Sequence, residues 1–268
     1  MSYTDLMNAW HARVGPDHPI WAHNGKLEAR AFAAALGVAV PALLDGPAEL
    51  DDLAPPTGPA VLKPVNGFGG HGVLPLVPIG GGVVYRNLLT GWTGDWAGWR
   101  RMAARSLRVD VHPRTPRDRI AGPWIVEELV TGRLPDDFNV WVIGGRPMLV
   151  HRRRRSHRGG GTWLHCVWDP NDFDASLGNV WARPRTSIFP LPPPRDPAAL
   201  LEAAMRLACR VDGPGVRVDL YEEDDGTPVF GELTPYSAAG TSRFVDDWER
   251  RLGDAWASAE IARGEREP

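Results

Sequence analysis

The segment DFNVWVIGGRPMLVHRR (137–153) places two alternating, largely apolar runs on either side of a Gly-Gly pair. A two-residue connection of that type closes a tight hairpin and can join only antiparallel neighbours. A second stretch, VRVDLYEEDDGTPVFGELTPY (216–236), repeats the pattern around an acidic turn. Shorter apolar runs, AVLKPV (60–65), VLPLVPI (73–79) and PWIVEELV (123–130), read as further strands. Helices separate the hairpins. KLEARAFAAAL (26–36) is stopped by Gly37, and DWAGWRRMAARSL (95–107) carries Trp96, Trp99, Ala103 and Leu107 at helical spacing. DPAALLEAAMRLACRVD (196–212) and VDDWERRLGDAWASAEIARG (245–264) are the later two. DGPAELDDLAPPTGPA (45–60) and PLPPPRDP (190–197) read as proline-rich connectors. The pattern is α+β with antiparallel sheets, because strand follows strand and no βαβ alternation occurs.

With 268 residues and 43% hydrophobic content, the chain can bury a full core. A net charge of −3 gives no global field for nucleic acid or anionic lipid. The first 20 residues lack a signal-peptide pattern, and no apolar run reaches the roughly 18–20 residues that span a bilayer. Cys166 and Cys209 have no metal or redox spacing. These features predict a cytoplasmic protein. Most of the 12 tryptophans are expected to pack the core.

Of the 30 basic residues, only Lys26 and Lys63 are lysine. Lys63 ends the run AVLK, just before NGFGGHG (66–72). Gly67, Gly69 and Gly72 match G-x-G-x-x-G, but a dinucleotide fingerprint must open a helix, and here an apolar strand follows. The G-K-[ST] ending of a P-loop is absent. A protein kinase puts its lysine after the glycine loop, whereas Lys63 precedes it, and no H-R-D or D-F-G occurs. Two readings stay open on the residues alone: a backbone flap over phosphate oxygens, or a glycine-rich turn without ligand.

At the other end, strand alternation puts Arg217 with Asp219 on one face, and Glu232 with Thr234 on one face. If the two strands pair about the acidic turn, two carboxylates, a hydroxyl and an arginine share a surface. That oxygen set suits Mg²⁺, and a solvated hairpin face is the alternative. In HRRRRSHR (151–158), alternation separates Arg153 and Arg155 from Arg152 and Arg154.

Taken in order, NGK, VLKPVNGFGGHG, WIVEELV, DDFNVWVIGGRP and RVDLY…VFGELTPYSAAG resemble the ATP-grasp superfamily, and RVDLY, FGELT and RRLGDAW resemble its TupA-like (teichuronopeptide biosynthesis) branch. The resemblance covers about Lys26 to Trp256. It implies ATP held between two α+β subdomains with antiparallel sheets, after an N-terminal helical segment and connector (1–58): a smaller subdomain with the glycine flap (59–130) and a larger one with the metal hairpin (131–268). Lys63 and Lys26 would contact phosphate, and Gly69, Gly70 and Gly72 would cover it. Glu127, Glu128, Leu129 and Val130 would hold adenine, and Asp137 ribose. Asp219 and Glu232, with Thr234 at the third position of a motif that is usually E-x-N, would hold Mg²⁺. Arg217 and Arg155 would take up charge in the reaction.

The implied activity is an ATP-dependent carboxylate–amine ligase working through an acyl phosphate, on small-molecule or peptide substrates and without nucleic acid or membrane insertion. A kinase on the same fold and a nucleotide-binding interaction protein without turnover are the competing readings. Asn139 stands where the branch often has lysine. The short N-terminal segment leaves part of the acceptor site to come from a partner protein or a second copy of the chain.

Overall fold

The computed structural model describes residues 1–23, 25–66, 72–109, 122–155, 163–183, 188–235, 237–241 and 243–265. Two six-stranded sheets, antiparallel throughout, form the frame. The first contains β1 (Leu43–Ala48), β2 (Ala60–Pro64), β3 (Leu74–Ile79), β4 (Val84–Asn87), β5 (Thr93–Asp95) and β6 (Trp124–Glu128), in the order β1-β6-β2-β3-β4-β5. The second contains β7 (Asp137–Ile143), β8 (Arg146–Arg155), β9 (Trp163–Asp169), β10 (Asp172–Leu177), β11 (Gly215–Glu222) and β12 (Pro228–Thr234), in the order β10-β9-β8-β7-β11-β12. Gly144 and Gly145 turn the β7–β8 hairpin with φ of 57° and 74°, values that a side chain would resist.

Helix α3 (Trp96–Val109) serves the first sheet. Its Trp99 and Ala103 pack on Leu62, Leu76 and Tyr85, and the Trp99 indole donates to the Tyr85 carbonyl at 3.2 Å. The side chain of Leu107 lies outside the described ones. In the second sheet, helix α4 (Pro197–Ala208), started by an Asp196 cap and Pro197, lies against β11, β7 and β8. Its Leu200, Ala204 and Leu207 join Phe138, Val140, Val218 and Leu220 in the larger core.

Several elements lack a sequence signature. Residues 43–48, partly inside the expected connector, form edge strand β1, and a Cβ on Gly46 (φ 89°) would meet the Trp124 carbonyl at 2.4 Å. Helix α1 (Tyr3–Val14) escapes the pattern because it buries polar Thr4 and His11 among its apolar residues. Glu249, in the first turn of α5 (Asp246–Ala262), fixes its start by accepting from the Thr4 N–H (2.8 Å), the Thr4 hydroxyl (2.6 Å) and the Ser2 hydroxyl (2.8 Å). Strand β10 is mostly exposed and carries no alternating apolar face. Trp10, Trp99, Trp168 and Trp256 are fully buried, while Trp92 is 65% exposed. No helix among the described residues is long and apolar enough to cross a membrane.

Candidate functional site

The β11–β12 register sets Asp219 directly opposite Glu232 and Arg217 opposite Thr234. On the other side of β11, Asp219 faces Asn139 and Tyr221 faces Asp137. Pairing at this distance forces the two carboxylates together, and Arg217 mediates between them. Its Nε and Nη2 donate to the two Asp219 oxygens at 2.6 and 2.5 Å, a bidentate charge-assisted pair. Nη2 also reaches Thr234 Oγ1 (3.0 Å) and Glu232 Oε1 (3.4 Å), and Nη1 donates to Ser237 Oγ (3.2 Å). Glu232 keeps 46% of its side chain exposed, yet it stands in dense surroundings. Partial desolvation, then the Asp219 charge, push its carboxyl up to about 7, against the pull of Arg217 and Lys26.

The lysine side comes from the first sheet and helix α2 (Lys26–Ala35). Lys63 pairs in register with Ile125, so Glu127, two residues along β6, shares its face. The Lys63 ammonium lies 2.5 Å from Glu127 Oε2, and Arg30 reaches Oε1 at 3.1 Å. Lys26 begins α2, its backbone N–H donating to the Val65 carbonyl at the end of β2 (3.4 Å). Burial, then the charge of Lys63, push its ammonium down to about 8, while Glu232 and Glu127 pull it back. Lys26 therefore senses the carboxylates of both sheets at once.

The remaining residues named from the sequence fall around this junction. Asp137 is ion-paired with Arg153 and accepts from Asn139 Nδ2 at 2.8 Å. Burial pushes its carboxyl up, partly offset by Arg153. Arg155 lies over the Trp163 ring and donates to the Leu89 carbonyl at 3.3 Å, linking the second sheet to the turn between β4 and β5. Arg152 and Arg154 point the other way and share Asp136, as alternation requires. After β6, the Glu128 N–H is taken by the Ala42 carbonyl (2.8 Å) and the Leu129 N–H by the Pro59 carbonyl (3.2 Å). The Glu128 side chain is exposed, and Leu129 and Val130 are buried. Gly72 leads into β3 with φ of 73°, and Gly69 and Gly70 lie outside the described residues.

Arg30 was not singled out from the sequence, though its place four residues after Lys26 on a helix puts the two on one face. The stacked buried pair His151–His165, with Nε2 and Nδ1 2.9 Å apart, had no sequence signal, since register alone brings it together.

The charges suit ATP and Mg²⁺. The charge of Lys63 makes that of Lys26 costly to hold, a cost that a polyphosphate would relieve, and two hard carboxylates side by side suit a small divalent cation. Among the described residues, no group of three or more His, Cys, Asp and Glu is placed to hold a metal alone, so phosphate or water oxygens would complete the shell.

No family model matches the sequence, and no curated protein matches it. Solved structures do. The chain is similar to the VanG D-Ala:D-Ser ligase of Enterococcus faecalis, at TM-score 0.52 and 13% identity over 88% of this chain and 61% of that one. It is also similar to biotin carboxylase from Campylobacter jejuni, at TM-score 0.52 and 16% identity over 92% of this chain and 47% of that one. A looser likeness, TM-score 0.46 and 15% identity over 89% of this chain and 58% of that one, links it to the ATP-grasp ligase PsnB. The chain thus spans about half to three fifths of the length of these proteins. What it shares with the VanG ligase and biotin carboxylase is a fold of two antiparallel α+β halves, the ATP-grasp fold.

Proposed function

We propose that this chain is an ATP-dependent ligase that joins a carboxylate to an amine through an acyl phosphate, with Mg²⁺. The observation that carries the reading is the geometry of the junction: Asp219 and Glu232 stand opposite each other on β11 and β12, and Lys26, beside Lys63, lies close enough to Glu232 to feel its charge. Perturbed groups of opposite sign, gathered where two sheets meet, mark a site arranged for a charged ligand. The fold likeness to a D-Ala:D-Ser ligase and the TupA-like phrases RVDLY and FGELT support the same reading.

The roles proposed are those the resemblance implies. Lys63, oriented by Glu127, and Lys26 bind phosphate oxygens, and the loop of Gly69, Gly70 and Gly72 covers them. The stretch Glu127–Val130 borders the adenine and Asp137 the ribose. Asp219 and Glu232 would hold Mg²⁺, which when bound supplies charge neutralisation at the phosphates, and Thr234 stands beside them as the candidate third donor. Arg217 is locked by Asp219 beside that position, so its guanidinium meets developing negative charge without reorganising. Arg155, tied across the junction, orients the two halves and offers a second cation. In this reading residues 59–130 and 131–268 are the two ATP-binding halves.

The test is incubation with ATP, Mg²⁺, hydroxylamine and a pool of carboxylic acids. Hydroxamate and ADP are expected, and both should vanish in Glu232→Gln. ADP without hydroxamate would replace the ligase reading with a kinase. ATP binding without either product would replace it with a nucleotide-binding interaction protein.

A further inference from the structure

Helix α1 turns a polar stripe inward. Thr4, Asn8 and His11 stand at i, i+4 and i+7, so they share one face of the helix. Thr4 and His11 are buried and Asn8 is half-buried. Burying such groups costs free energy unless they are hydrogen-bonded, so the stripe is stable only through what it holds.

What it holds is the segment after β12. His11 Nε2 lies 3.1 Å from the Pro235 carbonyl, and since a carbonyl only accepts, that nitrogen carries the hydrogen. Asn8 Nδ2 donates to the Gly240 carbonyl at 3.3 Å. Thr4 donates to Glu249, which also accepts from the Phe244 N–H at 2.8 Å. At the rim, Arg243 donates to Asp5 at 2.7 Å.

Pro235 and Gly240, the two carbonyls held by α1, bracket Ser237 in the chain. Ser237 is buried, and its hydroxyl accepts from Arg217 Nη1 at 3.2 Å. The other contacts of Arg217 fall on its opposite edge. Asp219 takes Nε and Nη2, while Thr234 and Glu232 meet Nη2. Arg217 and Asp219 stand two residues apart on one strand, so the pair can tilt as a unit about its own stems. A bond to the far corner of the guanidinium, made from a different segment, stops that tilt.

We infer that Ser237, Asn8 and His11 are positioning residues for Arg217: helix α1 fixes the loop, the loop fixes Ser237, and Ser237 fixes the aim of the guanidinium. The inference rests on the ligase reading for what Arg217 then does, and not for the linkage itself. Aim matters only when charge develops, so its loss should lower kcat and leave the KM for ATP in place.

The first measurement needs no substrate. In ¹⁵N-arginine-labelled protein, a guanidinium held at both corners gives separate, narrow Nη signals, because rotation about its Cζ–Nη bonds is slow. Arg217→Lys identifies the signals of Arg217. The Nη1 signal should broaden in Ser237→Ala and in His11→Phe, which keeps the bulk of the ring and removes the donor. His11→Gln, whose amide can donate as Nε2–H does, should restore it. Asn8→Asp keeps the shape and loses the donor; it should broaden the signal too, and it decides alone if His11→Phe fails to fold.

The second measurement is hydroxamate formation. Ser237→Ala should lower kcat about tenfold, the worth of one hydrogen bond to a charged group, with the KM for ATP held within about twofold. His11→Phe should lower kcat by itself and add nothing in Ser237→Ala, since both act through one contact.

Averaged Arg217 signals in the unaltered protein overturn the inference, as do narrow ones in Asn8→Asp. Losses of kcat that multiply in the double variant do the same. The expected broadening in a protein that makes no hydroxamate sinks the ligase reading and keeps the linkage. Hydroxamate formation indifferent to Ser237→Ala does the reverse.

Discussion

The acidic and basic halves of the candidate site are built in opposite ways. Asp219, Glu232, Arg217 and Thr234 come from one hairpin, and adjacent-strand register alone brings them together. Lys26, Arg30, Lys63 and Glu127 come from a helix and two strands, with Arg30 and Glu127 97 positions apart. The acidic half carries its own counter-ion in Arg217, with several partners in reserve. In the basic half, Lys63 and Arg30 share one carboxylate, Glu127. A site assembled by local pairing tolerates the loss of one member better than a site assembled by tertiary packing around one charge.

The largest effect is therefore expected at Glu127. Its side chain is 5% exposed, and those of Lys63 and Arg30 are 15% and 16% exposed. Glu127→Gln strands two buried cations, and breaking such a pair costs about 3–5 kcal/mol. Urea unfolding should show a lower midpoint at unchanged slope. Adding Lys63→Met to Glu127→Gln should recover part of the loss, since one of the stranded charges is then gone.

Asp219→Asn comes second. Arg217 loses its bidentate partner but keeps Glu232, Thr234 and Ser237 within reach, so the cost should be about 1.5–3 kcal/mol, that of a charged hydrogen bond. A larger loss here than at Glu127 would break the comparison outright.

The same contrast explains what could be read from the sequence. The β7–β8 and β11–β12 hairpins announce themselves by alternation and by their turns, so the face shared by Arg217, Asp219, Glu232 and Thr234 was legible before any coordinates. So was the splitting of the arginine run, with Arg153 and Arg155 on one face and Arg152 and Arg154 on the other. Lys63 stood out by the rarity of lysine. The engagement of Glu127 with Lys63 and Arg30 did not, because it depends on β2 pairing with β6 across a long intervening segment. Edge strands β1, β5 and β10 are short or exposed and carry no apolar face to betray them. Helix α1 was hidden because its buried Thr4 is satisfied by Glu249, 245 residues away.

The pH dependence separates the halves by sign. Glu232 is raised from its ordinary 4.5 to about 7, so the folded state binds more protons than the unfolded one between those values, and stability falls as pH rises through that window. Lys26 is lowered from 10.5 to about 8, so the folded state binds fewer protons there, and stability rises with pH from about 8 upward. Thermal melting across pH 4–11 should show the first slope flattened in Glu232→Gln and the second in Lys26→Met. Mg²⁺ should flatten the acidic slope of the unaltered protein, because a bound cation restores the ionised carboxylate. Identical slopes with and without Mg²⁺ would remove Glu232 from the proposed metal site.

The smallest effect belongs to Thr234, and it decides how far the acidic half extends. Its hydroxyl accepts from Arg217 Nη2 at 3.0 Å and can donate to Glu232 Oε1 at 3.3 Å. Thr234→Val keeps the shape and removes both bonds, at about 0.5–1.5 kcal/mol of stability. If the hydroxyl only orients Arg217 and Glu232, hydroxamate formation should fall by no more than about tenfold, the equivalent of 1.4 kcal/mol, and the Mg²⁺ concentration for half-maximal rate should stay put. If the hydroxyl is itself the third donor to the proposed Mg²⁺, that Mg²⁺ concentration should rise, and Thr234→Asn, which offers an amide oxygen instead, should bring it back. Arg217 already occupies one side of the hydroxyl, and its remaining capacity faces Glu232 rather than open space. The geometry therefore favours the orienting role, and an unchanged Mg²⁺ requirement in Thr234→Val is the expected result.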